Sequence, residues 1–148
     1  MDASSGRNCG GTRERMTTMK GPGASARYVD TNVILRYLLD DDPKLSPEAR
    51  TCLDTGSTHR TGVEVIAEAV YVLAGVYDVP RREISSVLVP LFGDERWVID
   101  HKEAVIRGLE IFGDSSLDFI DAWLIALHQV EGSEILTFDK QVRRRVSS

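Results

Sequence analysis

Cysteine is scarce in this chain, with only Cys9 and Cys52 among 148 residues. Two cysteines give no disulfide framework, and both read as plain thiols suited to a reducing cytoplasm. Long apolar runs are missing too: no stretch of about 18 apolar residues occurs, because Glu64, Glu68, Asp118 and Asp121 interrupt the longest ones. A membrane-spanning helix is therefore not expected, and a soluble, cytoplasmic protein is. The first 26 residues contain arginines but no apolar central segment, which excludes a secretory signal. Zinc-ligand spacing is absent among His59, His101, His128, Cys9 and Cys52, so the histidines read as surface or core-edge residues. Positive charge is short as well. Of 18 basic and 23 acidic side chains, four and two fall in residues 1–26, leaving 14 against 21, a net of -7, for the rest. A body that acidic does not grip phosphate backbones by bulk attraction, so a nucleic-acid partner requires a cation or a local basic patch.

The length suits one domain with one core, since domains commonly hold roughly 100 to 150 residues. Residues 1–26 are rich in Gly, Ser and Thr and read as a disordered leader, with Met16 or Met19 as candidate initiators; the domain is expected over 27–148. From residue 27 strand-like and helix-like segments alternate. "RYVD" reads as a strand and "TNVILRYLL" as a helix with apolar surface from Val33, Leu35 and Leu38. "SPEARTCLDTG" is a helix with Ser46 as its cap and Pro47 at its first position. "THRTG" reads as a brief strand. In the helix "VEVIAEAVYVLAGVYD", Ile66, Val70, Leu73 and Tyr77 share a face. Helix, strand, helix and helix follow in "PRREISSVLVPLFGD", "RWVID", "KEAVIRGLEIFGD" and "LDFIDAWLIALHQVEG", then the strand "EILTFD" and a terminal helix "KQVRRR". Strands separated by helices imply crossovers and a mainly parallel sheet.

Two acidic residues, Asp30 and Asp139, each close an expected strand, and the carboxyl ends of strands in an open parallel sheet form a ligand-binding edge. Each is equally at home as a helix N-cap. Glu68 sits among apolar neighbours in "VIAEAVYVL" and is expected to be partly desolvated; Glu64, four residues earlier, shares its face and competes for any role. Asp121 precedes six uncharged positions, although Asp118 as a cap and Asp121 as a first-turn residue would also satisfy the helix dipole. Four carboxylates in one crevice would repel unless protonated or bridged by a cation. Oxygen-only ligands favour Mg²⁺ or Mn²⁺ over zinc.

Taken together, "YVDTNVILRYLLDDDP", "VEVIAEAVYVL", "LDFIDAWLIAL" and "ILTFDK" resemble the successive motifs of PIN domains, in particular the VapC-type ribonuclease toxins of toxin–antitoxin pairs, over residues 27 to about 145. The resemblance implies an α/β fold, a PIN-like three-layer sandwich with a mainly parallel central sheet flanked by helices. It assigns Asp30, Glu68, Asp121 and Asp139 to an acidic catalytic and metal-binding quartet, with Asp118 as an added carboxylate and Asn32 and Thr137 as polar lining. The implied chemistry is Mg²⁺- or Mn²⁺-dependent cleavage of RNA, which an acidic body can meet when Arg36, Lys140 and the run Arg143, Arg144 and Arg145 lie near the groove; that run reads equally as a solvated tail. It also implies a homodimer and an antitoxin partner that occupies the site. The long leader departs from the family's usual start. Two other readings stand beside this one. A PIN-like module could bind RNA or a partner without cleaving. An aspartyl-phosphate protein would need a second Asp that "VDTN" lacks, or an Asp ending the middle strand, where Asp100 is nearest.

Overall fold

The computed structural model describes residues 26–147. Their elements run β1 (Arg27–Tyr28), α1 (Thr31–Leu39), α2 (Leu45–Leu53), β2 (His59–Thr61), α3 (Val63–Gly75), α4 (Arg81–Gly93), β3 (Trp97–Ile99), α5 (Lys102–Gly113), α6 (Phe119–Glu131) and α7 (Lys140–Val146). The expected α/β class holds, with a three-stranded parallel sheet in the order β1-β2-β3. The expected leader, with Cys9 and both candidate initiators, lies outside the described residues. No described helix is long and apolar enough to cross a membrane.

The chain divides into two compact units, one running to Thr61 and including Arg96–Val98, the other comprising Gly62–Glu95 and the residues from Ile99 onward. In the first, β1 and β2 pair in parallel with Arg27 opposite His59 and Tyr28 opposite Arg60. Parallel neighbours need a crossover, and α1 with α2 supplies it. Ile34, Leu35, Ala49 and Leu53 are buried. His59 is a core residue rather than a core-edge one: its ring tilts against Trp97 at 5.2 Å between centroids, and its Nε2 lies 3.0 Å from the Leu53 carbonyl. The expected Ser46 cap is corrected. α2 starts at Leu45, and Asp42 Oδ1 accepts from the Lys44 and Leu45 amides at 2.9 and 2.7 Å. Those bonds hold the Asp42 carboxyl below the usual aspartate range. Ser46 is buried, and its Oγ accepts from the Asp42 amide at 3.3 Å. Cys52 is buried in α2, and Cys9 lies outside the described residues.

In the second unit the helical periodicity reads true. Ile66, Ala69, Val70 and Leu73 are the buried face of α3, while Tyr77 falls beyond the helix end and is exposed. α5 and α6 form its most extensive helix pair, and Gly108 sets their approach: a Cβ there would stand 3.0 Å from Trp123 Cα. Backbone cannot swing aside as a side chain can. Gly108→Ala is therefore expected to destabilise by about 1–3 kcal/mol through overpacking, read as a lower melting temperature; an unchanged one would show that the helices separate freely.

The expected strand "EILTFD" does not form, since residues 132–139 are in neither helix nor strand. Ile135 and Thr137 are half-buried, whereas Leu136 and Phe138 are 95% and 89% exposed. The period-2 pattern is present, but a strand exists only when a partner completes its ladder.

Candidate functional site

Asp30 and Asp139 occupy the same local position on different elements. Each is extended, precedes a helix and accepts from the amide three residues on: Asp30 Oδ1 from Val33 N at 3.2 Å, Asp139 Oδ1 from Val142 N at 3.0 Å. The capping role anticipated for both is therefore real. It uses one carboxylate oxygen and leaves the other. Thr137 supports the second cap, because its Oγ1 accepts from the Asp139 amide at 3.0 Å. Its carbonyl accepts from Arg143 at 2.8 Å.

Glu68 is exposed, which corrects its expected desolvation. Glu64, Glu68, Tyr71 and Gly75 form the solvent stripe of α3, and the apolar neighbours in sequence belong to the opposite face. The geometry also separates the two rivals. The Glu64 carboxylate folds back over Gly62 at the helix start, its oxygens 2.6 and 2.7 Å from where a Gly62 Cβ would stand. Glu68 instead lines a groove of about 620 Å³ together with Tyr71, Arg81, Asp118 and Ile120.

Asp118 stands at the N-cap of α6, yet its side chain makes no capping bond. That leaves an exposed carboxylate on the groove rather than one tied to the helix end. Asp121, in the first turn, is half-buried, and its pKa is raised first by burial, then by the charge of Asp139, then by that of Asp118. The first-turn position favours a negative charge, so these effects outweigh the dipole. Three carboxylates from α6 and the start of α7 thus share one electrostatic neighbourhood. A raised folded-state pKa means that Asp121 contributes stability below its unfolded value and loses it as pH rises through the folded value. Wild type is thus expected to lose melting temperature relative to Asp121→Asn as pH rises above the ordinary aspartate range. Parallel pH–melting curves would contradict the shared neighbourhood.

A cation fits this donor set, since the chemistry is oxygen-only, anionic and mutually repelling. Among the described residues no three His, Cys, Asp or Glu side chains stand together as a preformed metal site; repulsion works against such convergence. Asn32 and Arg36 lie four residues apart on α1 and line a groove of about 320 Å³ in the first unit with Tyr28, Leu45, Ala49 and Leu53. Arg36 also pairs with Asp41 at 2.6 Å. In the second unit Lys140, Arg143, Arg144 and Ser147 line an open depression. The basic run is thus part of α7 and presents its charge on an exposed surface.

The profile of the PIN domain matches residues 27–146. No curated protein and no solved structure matched the chain.

Proposed function

Because the chain belongs to the PIN domain family, whose members are typically nucleases, we propose that it is a divalent-metal-dependent endoribonuclease, the toxin of a toxin–antitoxin pair. The observation that carries this reading is Asp121, whose carboxyl is raised by burial and by its neighbours Asp139 and Asp118. A half-buried aspartate set against two like charges is unfavourable as a structural element and well suited to holding a cation.

In this proposal Asp121, Asp139, Asp118 and Glu68 hold Mg²⁺ or Mn²⁺, and the family resemblance gives Asp30 a catalytic role of its own. When bound, the ion lowers the pKa of water and stabilises charge on the phosphate oxygens. The carboxylates contribute their charge and their fixed placement. Asp139 is placed by its cap bond and Asp121 by the first turn of α6, so neither must be ordered when substrate arrives. Lys140, Arg143 and Arg144 offer local positive charge to an RNA backbone that the acidic body would otherwise repel. The proposed partners are RNA, a cognate antitoxin and a second copy of the chain.

The test is cleavage of a single-stranded RNA pool by purified protein with Mg²⁺ and with EDTA. Expression in a bacterial host, with and without the protein encoded immediately upstream, then addresses the toxin role. Cleavage only with metal, and growth arrest relieved by co-expression, are the expected results. Retention of RNA without cleavage would instead favour the non-catalytic binding module.

A further inference from the structure

Arg81 opens α4, but its guanidinium serves another part of the unit. Nη1 donates to the carbonyls of Phe112 at 3.1 Å, Ser115 at 3.1 Å and Leu117 at 2.7 Å, and Nη2 to that of Ser116 at 3.3 Å. Its Cζ also lies 4.3 Å from the centre of the Phe112 ring. Four carbonyls from the stretch 112–117 thus converge on one cation. They include an acceptor at the end of α5, where helix carbonyls lack intrahelical partners and the dipole is negative. The backbones of α4 and α5 also meet closely here, since a Cβ on Gly113 would stand 2.6 Å from Ser85 Cβ.

The clamped stretch runs directly into Asp118 and, one turn into α6, Asp121. Asp118 makes no side-chain capping bond, so its own carboxylate does not fix where α6 begins. We propose that Arg81 is the positioning residue of the site: by gathering the 112–117 carbonyls it sets the entry of α6 and thereby the placement of Asp118 and Asp121. Arg81 lines the same groove as Glu68 and Asp118, where a free arginine would suit a substrate phosphate. Both hydrogens of its Nη1 and one of its Nη2 are directed at carbonyls instead, which favours positioning over substrate contact. Nη1 has two hydrogens for three carbonyls, so one of them is shared, and Nη2 serves the fourth; this fixed planar spread of donors over one stretch of backbone is not matched by a compact lysine ammonium.

The cleavage part of this inference rests on the proposed nuclease function, so its test includes measurements that do not. Arg81→Lys, which keeps the charge, and Arg81→Ala are compared with wild type for kcat and KM on RNA, for Mn²⁺ affinity by calorimetry and for amide exchange at 115–118. Both variants are expected to lose roughly 10- to 100-fold in kcat, the scale of small misplacements of reacting groups, with little change in KM. Mn²⁺ binding should weaken and exchange at 115–118 should accelerate. Added guanidinium ion should restore part of the Arg81→Ala rate. A raised KM at unchanged kcat would make Arg81 a substrate contact and overturn the proposal, as would wild-type Mn²⁺ affinity in both variants. A wild-type protein that binds Mn²⁺ but does not cleave RNA would defeat the nuclease reading alone, leaving the affinity and exchange results to decide the role of Arg81.

Discussion

Asp121→Asn is expected to lower RNA cleavage by roughly 100-fold or more, about 2.7 kcal/mol of barrier, while the protein folds as well as wild type or better. The two effects have one cause. Asparagine preserves the shape of the side chain and its place in the first turn of α6, but it removes the charge that burial, Asp139 and Asp118 all oppose. Losing a carboxylate ligand weakens the hold on a cation, and losing a repelled charge relieves the fold. A purely structural Asp121 gives the opposite pattern: a cost well under about 1 kcal/mol through the helix dipole and undiminished cleavage. Glu95→Gln is the suitable control, at an exposed position outside the acidic set. Asp54 is a poorer one, because the Tyr37 hydroxyl donates to it at 3.0 Å. Cleavage rates and melting curves of the two variants decide the matter, and undiminished cleavage by the Asp121 variant would remove it from the site.

At Asp139 the cap and the charge can be separated by a pair of substitutions. Asn caps a helix about as well as Asp, so Asp139→Asn should keep the bond to the Val142 amide and the short helix α7. Cleavage should nevertheless fall by roughly 100-fold, the scale seen when one electrostatic group is removed from a site. Asp139→Ala removes the cap too and should cost a further 0.5–2 kcal/mol or so of stability. In both variants the Asp121 carboxyl should titrate lower than in wild type, because the Asp139 charge that raises it is gone. Should Asp139→Asn cleave at the wild-type rate, Asp139 is a capping residue and nothing more.

Helix positions were legible in the sequence wherever one face is apolar at helical spacing, as in α3, where Ile66, Val70 and Leu73 are buried. Burial of single polar residues was not. Glu68 has apolar sequence neighbours but shares its helix stripe with Glu64 and Tyr71, which are exposed; adjacency along a helix is not adjacency in space. The segment containing Leu136 and Phe138 carries strand composition without a strand, because composition supplies propensity and only a neighbour supplies the ladder. α2 starts at Leu45 rather than Pro47 because Asp42 accepts from the Lys44 and Leu45 amides, while the Ser46 hydroxyl turns back to the Asp42 amide instead of capping. Of the acidic set, Asp139 and Asp118 lie near enough to raise the Asp121 carboxyl, an effect of spacing in the fold that their separate motifs do not carry. Arg81 had no signature in the sequence, since its partners are main-chain carbonyls 31 to 36 residues away, which any residue type could offer.

The central claim, that Asp121 and its neighbours form a cation site, is tested most directly by the melting temperature of wild type and Asp121→Asn in Mg²⁺ and in EDTA. An ion that binds only the folded site stabilises by mass action, so wild type should melt higher in Mg²⁺, and the Asp121→Asn variant should show a much smaller difference. Identical wild-type curves in Mg²⁺ and EDTA, or an equal metal-induced rise in both proteins, would contradict it.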